Sequence, residues 1–251
     1  MEKKYKLLEN DTIIVGGRTL HRIETLRDFA DVEKGDKEGY VEKEDNLSHE
    51  GNCWVSGNAQ IFGNACVSGK AVVCDNAEVY GNAVVCDSAE VRGNAVVCGN
   101  AVVCVNAEVY GNACVSGKAV VCDNAEVCDS AEVRGNAVVC DNAEVCDNAE
   151  VCDSAEVYGS AKVCGNAVVC GNAVVCDNAD YYVGKNVWSS GRFFTYTRSN
   201  KMWKVGCFYG TGEELIKRAY QDSEVSGREY ERVVRYVEAM YADLEKDKSK
   251  E

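Results

Sequence analysis

The chain has 251 residues with no proline, two histidines and sixteen cysteines, and its 27 basic against 41 acidic side chains give a net charge of −14. That acidic excess argues against a duplex nucleic-acid binder, whose affinity rests on neutralising phosphates, and no apolar run reaches the roughly eighteen residues of a membrane-spanning helix. Met1-Glu2-Lys3-Lys4-Tyr5-Lys6 lacks the apolar stretch of a secretion leader, so the cysteines read as reduced thiols of a cytoplasmic protein.

Residues 1–50 alternate short apolar runs with turn signals and are expected to form an N-terminal β cap. Tyr5-Lys6-Leu7-Leu8 and Thr12-Ile13-Ile14-Val15 read as strands, with Gly16-Gly17 as a hairpin turn. Gly39-Tyr40-Val41-Glu42-Lys43 reads as an irregular first coil of the segment that follows.

From Gly51 to about Tyr182 the sequence repeats every six residues without an insertion, in twenty-two units such as Val73-Cys74-Asp75-Asn76-Ala77-Glu78. This period fits neither an amphipathic helix nor a plain strand alternation. It fits a short strand, a tight corner and another short strand. Gly, Asn and Asp tolerate positive φ, so Gly81-Asn82 and Asp75-Asn76 read as corners. Val and Ala then point inward, and the residues flanking each Val point outward.

These units resemble the hexapeptide-repeat family. The resemblance implies an all-β solenoid, a left-handed parallel β-helix with three faces, eighteen residues per coil and about seven coils over residues 51–182. Gly35-Asp36-Lys37-Glu38-Gly39-Tyr40 and Asn46-Leu47-Ser48, ahead of the repeats, are similar to a group of bacterial and prophage proteins of unknown function, some labelled acyltransferase by analogy.

Taking every eighteenth residue assigns outward columns. Val84, Val102, Val120 and Val138 stand beside Cys86, Cys104, Cys122 and Cys140, an uncharged face expected to be an interface between copies, in a dimer or trimer. A second face stacks Glu90, Glu108, Glu126 and Glu144, expected to be a solvated face that needs basic neighbours. No C-x-x-C or Cys/His cluster with zinc spacing is present, so neither a metal nor a cofactor is expected.

Acyltransferases of the resembling family use a histidine as general base, and its carbonic anhydrases use three histidines for zinc. The coils hold no histidine at all. His49, just before the first clear coil, is the sole weak catalytic candidate, and the chain is read as leaning away from enzyme activity.

Residues 183–251 form a C-terminal α+β module of different chemistry. Between Asp180 and Glu213 there is no acidic residue, and nine of the 21 aromatic side chains fall there. Arg192–Thr197 and Met202–Phe208 read as strands about a Ser199-Asn200 turn. Thr211-Gly212-Glu213-Glu214 reads as a helix-opening capping box, and a second helix is predicted from Ser226. Its stripe of Tyr230, Val233, Val234, Val237, Met240, Tyr241 and Leu244 reads as core or dimer seam. Arg192, Arg198, Lys201, Trp203, Lys204 and Thr211 are the candidates for a small phosphorylated ligand or nucleotide. The leading expectation is a non-enzymatic solenoid scaffold or binding protein that self-associates through the Val/Cys face, with a protein partner or a small phosphorylated ligand as the further partner. Acyl transfer and phosphate-ligand binding are its alternatives.

Overall fold

The computed structural model describes residues 2–248. Its N-terminal part is a hairpin of β1 (Tyr5–Val15) and β2 (Arg18–Thr25). The two runs predicted as separate strands are joined into β1 across an irregularity between Leu7 and Thr12. Gly16 and Gly17 turn the hairpin with φ of 55° and 80°, values that a side chain would strain. β3 (Lys37–Val41) pairs antiparallel with β2 on one side and parallel with Gln60–Ile61 on the other, so it joins the hairpin to the solenoid.

The solenoid proper runs through 21 two-residue strands, from β4 (Trp54–Val55) to β24 (Val174–Val175). Each pairs in parallel with the strand eighteen residues on, as in Glu90↔Glu108, Val96↔Cys114 and Val102↔Val120. They fall into three faces of seven strands, and β3 makes one face eight strands deep. The expected seven coils are present, and the first irregular coil adds another. Inward Val and Ala are 0–1 % exposed along the whole axis. Each outward step donates to the next coil, as in Val84 N–H to Ala101 O at 2.9 Å and Cys86 N–H to Val103 O at 3.0 Å.

The corners explain the Gly/Asp alternation. Asp75 takes the left-handed conformation with φ 62°, as does Gly81 with φ 78°. Where Asp stands, its carboxylate also accepts the backbone N–H one coil on: Asp75 from Gly93 at 2.9 Å and Asp147 from Gly165 at 2.9 Å. The following Asn residues form ladders, Asn64 donating to Asn82 and Asn82 to Asn100. Such stacked amides stabilise parallel in-register strands.

A parallel stack ends in backbone N–H groups without a next coil. Here side-chain oxygens replace it. Lys162 N–H donates to Asn178, Val168 N–H to Thr195, Val174 N–H to Ser199 and Cys176 N–H to Asp180, at 2.7–3.0 Å. Thr195 lies in the second strand, and Ser199 in the turn after it, of an antiparallel sheet of β25 (Tyr181–Lys185), β26 (Phe193–Thr197), β27 (Met202–Val205) and β28 (Phe208–Gly210), followed by α1 (Gly212–Asp222) and α2 (Glu224–Lys248). The predicted capping box opens α1: Glu214 N–H donates to Thr211 Oγ1, and Thr211 N–H to Glu214.

The start predicted for α2 is corrected. The helix begins at Glu224, because Ser223 Oγ accepts the Ser226 N–H at 3.1 Å and caps it one turn early. The stripe packs as core through Tyr230, Val234, Val237 and Tyr241, while Leu244 is 42 % exposed and stands outside it.

Candidate functional site

Stacking at eighteen-residue intervals places Val84, Val102, Val120 and Val138 in one register column. These four, with Cys86, Cys104, Cys122 and Cys140, are all half-buried. The module's hydrogen bonds to the solenoid fall on its last coil, beyond these residues. Burial, reinforced by the adjoining Asp87 and Asp123 carboxylates, pushes the Cys86 and Cys122 thiols up to about 12, so they stay protonated. Beside this face lies an anomaly. Val105 occupies a corner position held elsewhere by Gly or Asp, with φ 66°, and is 38 % exposed.

The glutamate column is partnered from within, by two basic groups and one hydroxyl. Arg92 lies 2.9 Å from Glu108 and 3.3 Å from Glu90, Tyr110 donates to Glu126 at 3.1 Å, and Lys162 reaches Glu144 at 2.6 Å. Each of the four stacked carboxylates therefore has a partner.

His49 lies in the N-terminal cap, its ring 4.4 Å from that of Tyr5. Its Nδ1 accepts the Lys4 backbone N–H at 3.2 Å, which occupies the lone pair a general base needs. Burial lowers its affinity for a proton further, against the attraction of Glu44.

The six candidate ligand residues of the module do not converge. Trp203 is fully buried and donates Nε1 to Glu238 at 3.1 Å, so its ring offers no stacking platform. Arg198 lies 3.7 Å from Asp180, Lys201 lies 3.7 Å from Glu245, and Thr211 is spent on its helix cap. Lys204 and Arg192 border a cleft of about 440 Å³ shared with Arg134 and Glu150. Arg192 also lines a separate cleft of about 580 Å³, together with Asn186, Arg218, Ser226 and Tyr230. Arg218 escaped the sequence reading. Its only signal is its place between Leu215 and Asp222, on the same face of α1 as residues of that cleft.

The solenoid also assembles groups that could hold a metal. Cys122–Asp123–Cys140, Cys128–Asp129–Cys146 and Cys152–Asp153–Cys170 each bring two sulfurs and a carboxylate oxygen within 4.8 Å. Scanning for close-spaced ligands misses them, since the cysteines lie eighteen residues apart in sequence and one coil apart in space.

No described helix is long and apolar enough to cross a membrane. A family model described as the YdcK beta solenoid repeat matches residues 59–75, a stretch of the first coils. No curated protein matches the sequence. The matched unit and the parallel stacking of its successors agree: the chain is a β-solenoid repeat protein.

Proposed function

We propose that this protein is a non-enzymatic scaffold that pairs with a second copy of itself through the Val/Cys face. Val105 carries the reading. A β-branched residue in the left-handed region costs about 1–2 kcal/mol, and Gly or Asp would relieve it, as at the equivalent corners Asp87 and Asp123. Strain of this kind persists where function retains it. What Val105 supplies is apolar surface directly after Cys104, at the edge of the uncharged face and between the Asp87 and Asp123 corners. A second copy is the fitting occupant because the eight flanking side chains carry no charge, while the chain as a whole is strongly acidic and repels its like elsewhere. A two-fold pair covers the face on both chains at once.

The test is Val102→Lys with Val120→Lys. Both side chains point outward, so circular dichroism should be unchanged while light scattering reports a halved mass. An unchanged mass removes the face from the account. Acyl transfer is disfavoured by the occupied His49 lone pair. Acetyl-CoA turnover by the wild type that is lost in His49→Ala would replace the scaffold reading.

A second reading is favoured by one observation. Arg192 and Arg218 both face the 580 Å³ cleft, and neither forms an ion pair among the described residues. A cleft of this size, in which two guanidiniums outnumber the single carboxylate of Asp222, suits a small phosphorylated ligand. Arg192→Ala with Arg218→Ala should abolish a nucleotide-induced rise in melting temperature. A rise that survives in the folded double variant sinks this reading.

A further inference from the structure

The corner that follows each outward cysteine decides what two stacked thiols can do. At Cys128, Asp129 and Cys146 the corner is Asp, with φ 58°, which sets its carboxylate beside both sulfurs. Both cysteines are 5 % exposed and Asp129 lies at the surface, so the sulfurs are shielded while the carboxylate faces solvent. Cys128 Sγ stands 3.9 Å from Asp129 Oδ2.

A tetrahedral metal with thiolates at about 2.3 Å and a carboxylate at about 2.1 Å places its sulfurs about 3.8 Å apart and sulfur and oxygen about 3.6 Å apart. The resting arrangement, with all three atoms inside 4.8 Å, is a small rotation away. A disulfide demands more, because its Cβ atoms lie about 3.8 Å apart, whereas parallel strands hold theirs at about 4.8 Å. The surrounding charge is negative. Glu126 and Glu144 occupy the outward positions two residues before each cysteine. Lys162, bonded to Glu144, is the basic group in that network.

We propose that Cys128, Asp129 and Cys146 bind a thiophilic divalent d10 cation, zinc or cadmium, with water completing its coordination. Each thiol releases its proton to solvent as its metal–sulfur bond forms, and no electron is transferred. Hard cations are excluded, since magnesium and calcium require oxygen donors throughout. Of the two sister groups, Cys122–Asp123–Cys140 is only half-buried, and Cys152–Asp153–Cys170 feels the cationic Arg134 and Lys204.

The test titrates the full chain, reduced with a non-thiol reductant and freed of metal, with Cd²⁺ alone and then with Zn²⁺ as competitor. Thiolate-to-cadmium charge-transfer absorption and equilibrium dialysis report binding. Cys128→Ser with Cys146→Ser should lose one tightly bound equivalent and part of the band. Asp129→Asn, at an exposed corner that tolerates Asn, should weaken that equivalent by about tenfold. A wild type without a thiolate–cadmium band overturns the site, and so does a folded serine variant with wild-type stoichiometry and affinity. If the serine variant fails to fold, Asp129→Asn decides alone: a tenfold loss supports the site and unchanged affinity overturns it.

Discussion

The solenoid and the C-terminal module bury their apolar residues in opposite ways. Along the rod nearly every inward position is Val or Ala, and each coil touches only its neighbours, so stability is spread evenly. In the module a few large rings, Phe194, Tyr196, Trp203, Tyr230 and Tyr241, meet around one centre with α1 and α2 closing over them. The rod therefore tolerates small losses anywhere, while the module depends on single side chains. The module returns the favour by supplying Thr195 and Ser199 to amide donors of the last coil, which otherwise end in open sheet edges.

This contrast is broken most severely at Trp203. Trp203→Ala should cost the module about 3–5 kcal/mol, because it empties the centre and strands Glu238, its hydrogen-bond partner. Two of the three tryptophans, Trp188 and Trp203, lie in the module, so fluorescence follows its unfolding while far-ultraviolet dichroism follows the rod. In Trp203→Ala, Trp188 fluorescence should change at low urea while the strand signal holds. Coincident loss of both signals would mean one cooperative unit and would erase the distinction.

A mid-rod truncation is expected to be milder. Val109→Ala removes two buried methyl groups at a fully buried position, worth about 2 kcal/mol with its cavity. The urea midpoint should fall with little change in slope. A loss as large as that of Trp203→Ala would show that the coils do not share load.

Val105→Gly sharpens the comparison in the other direction. Relief of the left-handed strain, about 1–2 kcal/mol, is partly offset by the greater freedom of Gly in the unfolded chain, so the monomeric rod should gain up to about 1 kcal/mol, and the lost apolar surface should weaken pairing. A variant that is both less stable and equally paired contradicts the role given to Val105.

The smallest effect is expected in acid. The bond from Lys162 holds the Glu144 carboxyl below its ordinary value of 4.5, against a smaller opposing effect of burial. A depressed carboxyl stabilises the fold fully above that ordinary value, and the contribution is lost as pH falls through the depressed one. The pair is partly exposed, so the effect is small. The fall in melting temperature from pH 5 to pH 3 should be shallower in Lys162→Ala than in the wild type, and an identical fall would remove the pair from the acid response.

The rod was legible in the sequence because its rule is local. A Val, a corner residue with positive φ and an Ala recur at fixed spacing, and residues eighteen apart must stack. The Val/Cys column followed from that arithmetic. The module resisted because its cleft gathers Asn186, Arg192, Arg218 and Tyr230 from separate segments. Trp203 and Arg198 looked like ligand residues since a basic aromatic strand has the same composition as a buried one whose charges are paired. The Ser226 cap was misplaced because Ser223, three residues earlier, offers the same hydroxyl. The Cys–Asp–Cys groups stayed hidden because one side chain of each lies a full coil away.

The claim that two copies meet through the uncharged face is tested most directly by the mass of the wild-type chain in solution. Sedimentation equilibrium over a range of protein concentrations should reveal a species of twice the 27.3 kDa chain mass. Its share should rise with added salt, which screens the repulsion between two acidic rods. A mass of one chain at every concentration and salt would contradict the account.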